Sequence, residues 1–178
     1  ARGARIIRRC RATNITQQPS GEWLVETEKD NILCEHVVNA GGTYARQMGE
    51  WSGLQLPMTS MTHHYFVTDT VPEFKDYDDL PVIRDDKLVS GYIRMEQKSG
   101  LIGIYEKENP NTVWVDHCPW EAENELFEPD YDRIMPWLEN ALDRMPIFAE
   151  LGIKREVHGA ISHPPDGNPL IGPAPGVT

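Results

Sequence analysis

Apolar and polar positions change their rhythm several times along this chain, and each change predicts an element. Residues 5–11 interleave Ile6, Ile7 and Cys10 with arginines, which predicts a short, half-buried strand. Gly21 marks a turn, after which 22–27 and 32–39 predict a hairpin-like pair of strands. The second of these passes through Val37 and Val38 into Ala40-Gly41-Gly42, and 45–51 then has helix-forming composition as far as Gly53. A buried strand, a glycine turn and a helix start, in that order, gather free backbone N–H groups and a positive dipole end at one point. Small residues there let a flat or anionic ligand approach the backbone, although a strand that simply ends in a glycine turn has the same pattern.

After Pro57 the pattern favours strands. Residues 61–68 are rich in aromatic and β-branched side chains, 71–80 form an acidic loop, and 81–84, 91–97 and 101–106 are closely spaced strand-like runs. Ser99-Gly100 predicts the hairpin joining the last two, so the region reads as an antiparallel meander. A loop is expected over 109–128. Ile134, Trp137, Leu138, Ala141, Leu142 and Met145 then fall on one helical stripe, with Pro136 at a first turn or kink and Gly152 as the stop beyond Pro146. That stripe is core. A strand at 156–162, a turn at 164–169 and a second buried strand from Leu170 to Gly172 complete the chain.

Composition narrows the partners. An apolar share of 39% and five Trp describe a folded protein. With 28 acidic against 17 basic residues the net charge is −11, which argues against nucleic acid as a partner. Three scattered cysteines give no disulfide framework and suit a reducing compartment. No apolar run is long enough to span a bilayer, so no membrane association is expected. The lack of an initiator Met and the end at Gly176-Val177-Thr178 predict an internal piece of a longer protein.

Candidate chemistry lies mostly in the strands. His63 and His64 are adjacent on a strand, point to opposite faces, and make a poor metal pair. His117-Cys118 lacks partners at zinc spacing, and no metal is expected. Tyr92 and Arg94 share a strand face, where a phenol and a guanidinium could meet an amino acid with the Arg forking its carboxylate. A surface stripe paired with Glu96 fits the same residues. Glu106 reads as a structural salt bridge, and Asp166-Gly167 as an ordinary turn.

Six stretches in order carry a resemblance: Val-Val-Asn-Ala-Gly-Gly-Thr-Tyr-Ala-Arg at 37–46, Met-Thr-His-His-Tyr-Phe-Val-Thr at 61–68, Val-Ile-Arg-Asp at 82–85, Tyr-Ile-Arg-Met-Glu at 92–96, Gly-Ile-Tyr-Glu at 103–106 and Pro-Asp-Gly-Asn-Pro-Leu-Ile-Gly-Pro-Ala-Pro-Gly at 165–176. Together they resemble the D-amino-acid-oxidase-like flavoproteins, in the dimethylglycine and sarcosine dehydrogenase branch. The resemblance implies a mixed α/β fold, with part of a Rossmann-like FAD domain at 1–57, an inserted antiparallel-sheet substrate domain at 58–160, and a return to the FAD domain at 161–178. It implies FAD as cofactor, an N-methyl amino acid as substrate, and a flavoprotein or oxygen as electron acceptor. Folate would bind through a downstream region not present here.

By the same resemblance His63, Tyr92 and Arg94 are the candidate catalytic residues. Ala12, Ala40, Gly41, Tyr44 and Asp166 are the cofactor-proximal ones, with His163 near them. Plain packing fits Ala12 and Tyr44 equally well. The family's Gly-x-Gly-x-x-Gly unit is absent from these residues. The expected location is cytoplasmic in a bacterium and the mitochondrial matrix in a eukaryote. Two other readings stay open: a non-catalytic regulatory relative with the same fold, and an acidic binding module.

Overall fold

The computed structural model describes residues 2–107 and 110–177; Asn109, the first residue of the expected loop, lies outside the described residues. The chain divides into two compact units, one of residues 1–59, 116–120 and 163–178 and the other of 60–115 and 121–162.

In the first unit β1 (Ala12–Gln17), β2 (Trp23–Thr27) and β3 (Ile32–Cys34) form an antiparallel sheet in sequence order. The strand expected at 5–11 does not form, and Ile6 is 87% exposed. Its would-be partner runs out, because the β1–β2 register ends at Ala12↔Thr27. Thr27 Oγ1 then donates to Asp30 O and accepts from the Lys29 and Asp30 N–H groups, turning the neighbouring strand away. The strand expected over 32–39 is likewise cut to three residues. Its partner β2 begins at Trp23, opposite Cys34, so nothing among the described residues continues the ladder along Val37 and Val38. Leu170 and Ile171, expected in a buried strand, are exposed and outside any strand. Apolar composition alone does not make a strand where no backbone partner is available. A 3-10 turn, Gly42–Tyr44, leads into the expected short helix α1 (Ala45–Glu50).

The second unit is built on β4 (Thr59–Thr70), β5 (Ile83–Asp85), β6 (Gly91–Glu96), β7 (Ser99–Ile104), β8 (Thr112–Val113) and β9 (Ile153–His163). The order is β5-β6-β7-β4-β8, with β9 also on β4, and every register given is antiparallel. The β6–β7 hairpin turns at Gln97-Lys98, with Gln97 at φ +56°, whereas Ser99-Gly100 belongs to β7. Gly100 serves packing instead: a Cβ there would stand 2.5 Å from the Phe148 ring.

One face of the sheet presents Phe66, Ile93, Met95, Ile102 and Ile104 to Ile134, Leu138 and Ala141 of helix α2 (Tyr131–Arg144). Trp137, Leu142 and Met145 pack around them, which is the stripe expected from the sequence. The helix starts at Tyr131, so Pro136 falls in its second turn. It stops at Arg144, ahead of Pro146, because the residue before a proline is pushed out of the helical region. A 3-10 turn at Pro146–Phe148 then buries Phe148 against the same core.

Candidate functional site

The sheet face away from α2 carries the polar chemistry. Strand pairing sets Arg84 opposite Tyr92, Tyr92 opposite Gly103 and Gly103 opposite Tyr65, one row across four strands. His63, two residues before Tyr65, lies on the same face by the period-two rule, as does Tyr105, two residues beyond Gly103. His63 Nε2 is 3.3 Å from Tyr92 Oη. The His63 ring stacks on Tyr105 at 4.3 Å between centroids, and Tyr92 stands 5.9 Å from both rings. The Arg84 guanidinium lies over the Tyr105 ring at 4.8 Å, a cation–π contact. Burial pushes the Tyr92 phenol above its ordinary value of 10.0 and Tyr105 adds to this, while Arg94 and Arg84 pull it down. The phenol therefore stays neutral at physiological pH.

Arg94 shares the face but sits one row along, opposite Leu101. Its Nη1 pairs with Glu96 Oε2 at 2.6 Å and donates to the Met95 carbonyl. The other Glu96 oxygen reaches Arg155 at 3.9 Å. The structure thus brings His63 and Tyr92 into contact and ties Arg94 to Glu96. Tyr105 and Arg84 were not singled out from the sequence. The signal for Tyr105 was its i, i+2 relation to Gly103 on β7, and for Arg84 its position in the strand run at 81–84.

His64 points the other way, as alternation requires, and is fully buried. Its ring stacks on His158 at 3.5 Å, and its Nε2 is 3.6 Å from Glu156 Oε1. His158 Nδ1 lies 2.6 Å from the Glu128 carbonyl, and Tyr131 Oη donates to Glu156 Oε2. Burial, then the charge of His158, lowers the His64 imidazole from 6.5 to about 4; Asp130 opposes this and His63 adds to it. The folded value lies below the unfolded one. Neutral His64 therefore contributes stability that is complete above about pH 6.5 and is lost as pH falls toward 4. Between pH 7 and 5 this one group is expected to cost about 2 kcal/mol. Denaturant unfolding at the two pH values should show a visibly smaller pH dependence in His64→Phe; an unchanged dependence would refute the assignment. Glu106 makes the expected ion pair, with Arg133 Nη2 at 2.7 Å.

In the first unit, Ala12 closes the β1–β2 register opposite Thr27. Ala40 is exposed. The Gly41 N–H donates to Asn39 Oδ1 at 3.1 Å, and Asn39 Nδ2 donates to the Ala45 carbonyl at 2.8 Å, so one side chain holds the turn against α1. A Cβ on Gly41 would come within 2.5 Å of Met48 Sδ, whereas at Gly42, with φ +58°, it would meet nothing within 4 Å. Tyr44 stacks on Trp120 at 5.5 Å, and Trp51 stacks on Trp120 at 5.3 Å. Residues 116–120 are fixed to α1 by two reciprocal hydrogen bonds between Gln47 and the Cys118 backbone, both 2.9 Å. Asp166 is exposed and its carboxylate accepts the Asn168 N–H, which holds it below its ordinary range and commits it to its own turn. His163, half-buried, opens the run to that turn. Among the described residues no group of three or more His, Cys, Asp and Glu could hold a metal ion, and no helix is long and apolar enough to cross a membrane.

The family described as DAO, FAD dependent oxidoreductase, matches residues 1–178. The chain belongs to this FAD-dependent oxidoreductase family. Among curated relatives it is similar to mitochondrial dimethylglycine dehydrogenase of Mus musculus, 38% identical over 170 residues, covering 93% of this chain and 19% of that protein. Mitochondrial sarcosine dehydrogenase of Mus musculus is 32% identical over 180 residues, covering 98% of the chain and 19% of that protein. The chain therefore spans about a fifth of the length of these relatives. Among solved structures, L-proline dehydrogenase from P. horikoshii superposes with a TM-score of 0.75 at 21% identity, over 98% of this chain and 43% of that one. That likeness gives the fold: mixed α/β with a multi-strand antiparallel sheet.

The first unit of this family member fits a flavin on two observations. In the turn at Ala40–Gly42 the two outer residues are exposed and Gly41 is half-buried, and Gly42 has open space where a side chain would stand, so a flat ring system could lie against the backbone there. The same unit leaves Val38 86% and Ile171 90% exposed, two apolar side chains open to contact.

Proposed function

We propose that this chain supplies the amine-binding sheet, and part of the flavin domain, of an FAD-dependent oxidoreductase acting on the CH–NH bond of an N-methyl amino acid of the dimethylglycine or sarcosine class. The single observation that carries the reading is the His63–Tyr92 hydrogen-bonded pair on a sheet face walled by Tyr105 and Tyr65. Residues 58–160 would form the substrate domain, with 1–57 and 161–178 in the flavin domain. The compartment would be the mitochondrial matrix in a eukaryote and the cytoplasm in a bacterium.

An amine gives up a hydride from its N-methyl carbon only when its nitrogen lone pair is free, so the bound ammonium must first lose a proton. His63 is the group to accept it, directly or through the Tyr92 hydroxyl that lies 3.3 Å from Nε2. Tyr92, a neutral phenol at physiological pH whose ionisation burial makes harder still, can donate to one partner while accepting from another. The Tyr92 ring favours a methylated ammonium by cation–π attraction before the proton leaves, while Tyr105 is taken up by His63 and Arg84. Arg94, its guanidinium oriented by Glu96, would fork the substrate carboxylate. Ala12, Ala40, Gly41 and Tyr44 would line the flavin, with Asp166 shaping the turn near it. When bound, FAD supplies the acceptor for the departing hydride.

The test uses the visible spectrum of the full-length protein under anaerobic conditions. Flavin absorbance that bleaches on adding dimethylglycine or sarcosine is the expected result, and the more effective amine identifies the substrate. A bound flavin that neither amine reduces would overturn the substrate class. A protein with no flavin would overturn the reading and favour a non-catalytic relative.

A further inference from the structure

We infer that Gly103 is a positioning residue whose missing side chain allows Tyr92 to reach His63, an inference that rests on the functional reading of that pair. Tyr92 is on β6 and His63 on β4, and β7 runs between them. Adjacent strands lie about 4.8 Å apart, so the two backbones are separated by roughly 10 Å. Upright side chains on β4 and β6 would not meet across that gap. For its hydroxyl to come within 3.3 Å of His63 Nε2, the Tyr92 phenol must lie down across β7.

It does so directly over Gly103, its register partner. A Cβ built on Gly103 would overlap Tyr92 Cζ and Cε1 and stand 2.5 Å from its hydroxyl oxygen. Nothing in the backbone asks for glycine here: Gly103 is mid-sheet, buried, and not among the residues with positive φ. Glycine inside a strand weakens it, and its use there signals close approach of another group. That group is the Tyr92 ring. Tyr105, two residues on and just beyond the end of β7, does carry a side chain and backs His63 at 4.3 Å. The strand therefore alternates an empty position under the phenol with a filled one against the imidazole.

The sequence signal was present in Gly-Ile-Tyr-Glu at 103–106 but silent about purpose, because a strand glycine reveals its role only once the strand across from it is known.

The experiment compares Gly103→Ala with the wild-type full-length flavin-loaded protein in two readouts. In the crystal structure of the variant, the His63–Tyr92 separation is expected to exceed 4 Å, roughly an ångström beyond hydrogen-bond length. In anaerobic stopped flow, the rate of flavin reduction by the amine is expected to fall about tenfold to 10²-fold, the scale for misplacing a reacting group by an ångström. In a Tyr92→Phe background the same substitution should change the rate less than about twofold, because the hydroxyl it displaces is already gone. An intact pair in the variant, or a full additional loss in the Tyr92→Phe background, would overturn the inference. Should Gly103→Ala fail to fold, Gly103→Ala/Tyr92→Ala makes room for the new methyl. Recovery of folding supports the steric account, and continued misfolding refutes it. If no amine reduces the wild-type flavin, the functional reading fails, while the crystallographic distance still decides the role of Gly103.

Discussion

Tyr92→Phe is expected to slow amine-dependent flavin reduction by about 10²-fold, the low end of the range for a positioned proton-transfer group. The change removes one oxygen and keeps the ring, so the stacking with His63, the tilted contact with Tyr105 and the packing over Gly103 survive. What is lost is the 3.3 Å link to His63 Nε2, and with it the route proposed for relaying the amine proton. The loss should fall on the limiting rate of reduction more than on substrate affinity, since the proposed role of the hydroxyl is in moving the proton and not in holding the carboxylate. Stopped-flow traces at saturating and subsaturating amine separate the two. A limiting rate within threefold of wild type would remove Tyr92 from the chemistry. A change confined to affinity would make it a binding residue.

Phe66→Ala is expected to destabilise the protein by about 3–5 kcal/mol, the usual cost of truncating a buried aromatic side chain. Phe66 is 1% exposed and belongs to the cluster that joins the sheet to Ile134, Leu138 and Ala141. Its neighbours cannot collapse into the gap easily, because β4 and β7 are locked in register on either side of it by His64↔Ile104 and Val67↔Leu101. Denaturant unfolding followed by tryptophan fluorescence would measure the change. A loss under about 1 kcal/mol would mean that this cluster is not the main core of the sheet unit.

The parts of this fold that could be read from the sequence are those whose partners lie nearby or whose period is strong. β4, β6 and β7 announced themselves by aromatic and β-branched alternation, and α2 by its apolar stripe. The placing of His63 and His64 on opposite faces followed from strand geometry alone, as did the shared face of Tyr92 and Arg94.

The misreadings have a common cause. Residues 5–11, 35–39 and 170–172 have strand composition, but a strand needs a neighbour to complete its ladder, and composition says nothing of where that neighbour ends. Nor did the run over 109–128 show that Trp120 would stack on Tyr44 and Trp51, or that Gln47 would pair with the Cys118 backbone. Those contacts join residues about 70 positions apart, and no local pattern encodes them. At the candidate site, pairing of His63 with Tyr92 needed the strand order β6-β7-β4. The capture of Arg94 by Glu96 and the seating of Arg84 on Tyr105 needed side-chain directions.

The central claim is that the face bearing His63, Tyr92 and Tyr105 receives the amine. It is tested most directly by a crystal structure of the full-length flavin-loaded protein with methylthioacetate, a thioether acid in which sulfur replaces the amine nitrogen and no proton can be lost. The account predicts the sulfur within reach of Tyr92 Oη or His63 Nε2, its methyl directed toward the flavin, and the carboxylate on Arg94. Electron density for the ligand away from this face, with His63 and Tyr92 untouched, would contradict it.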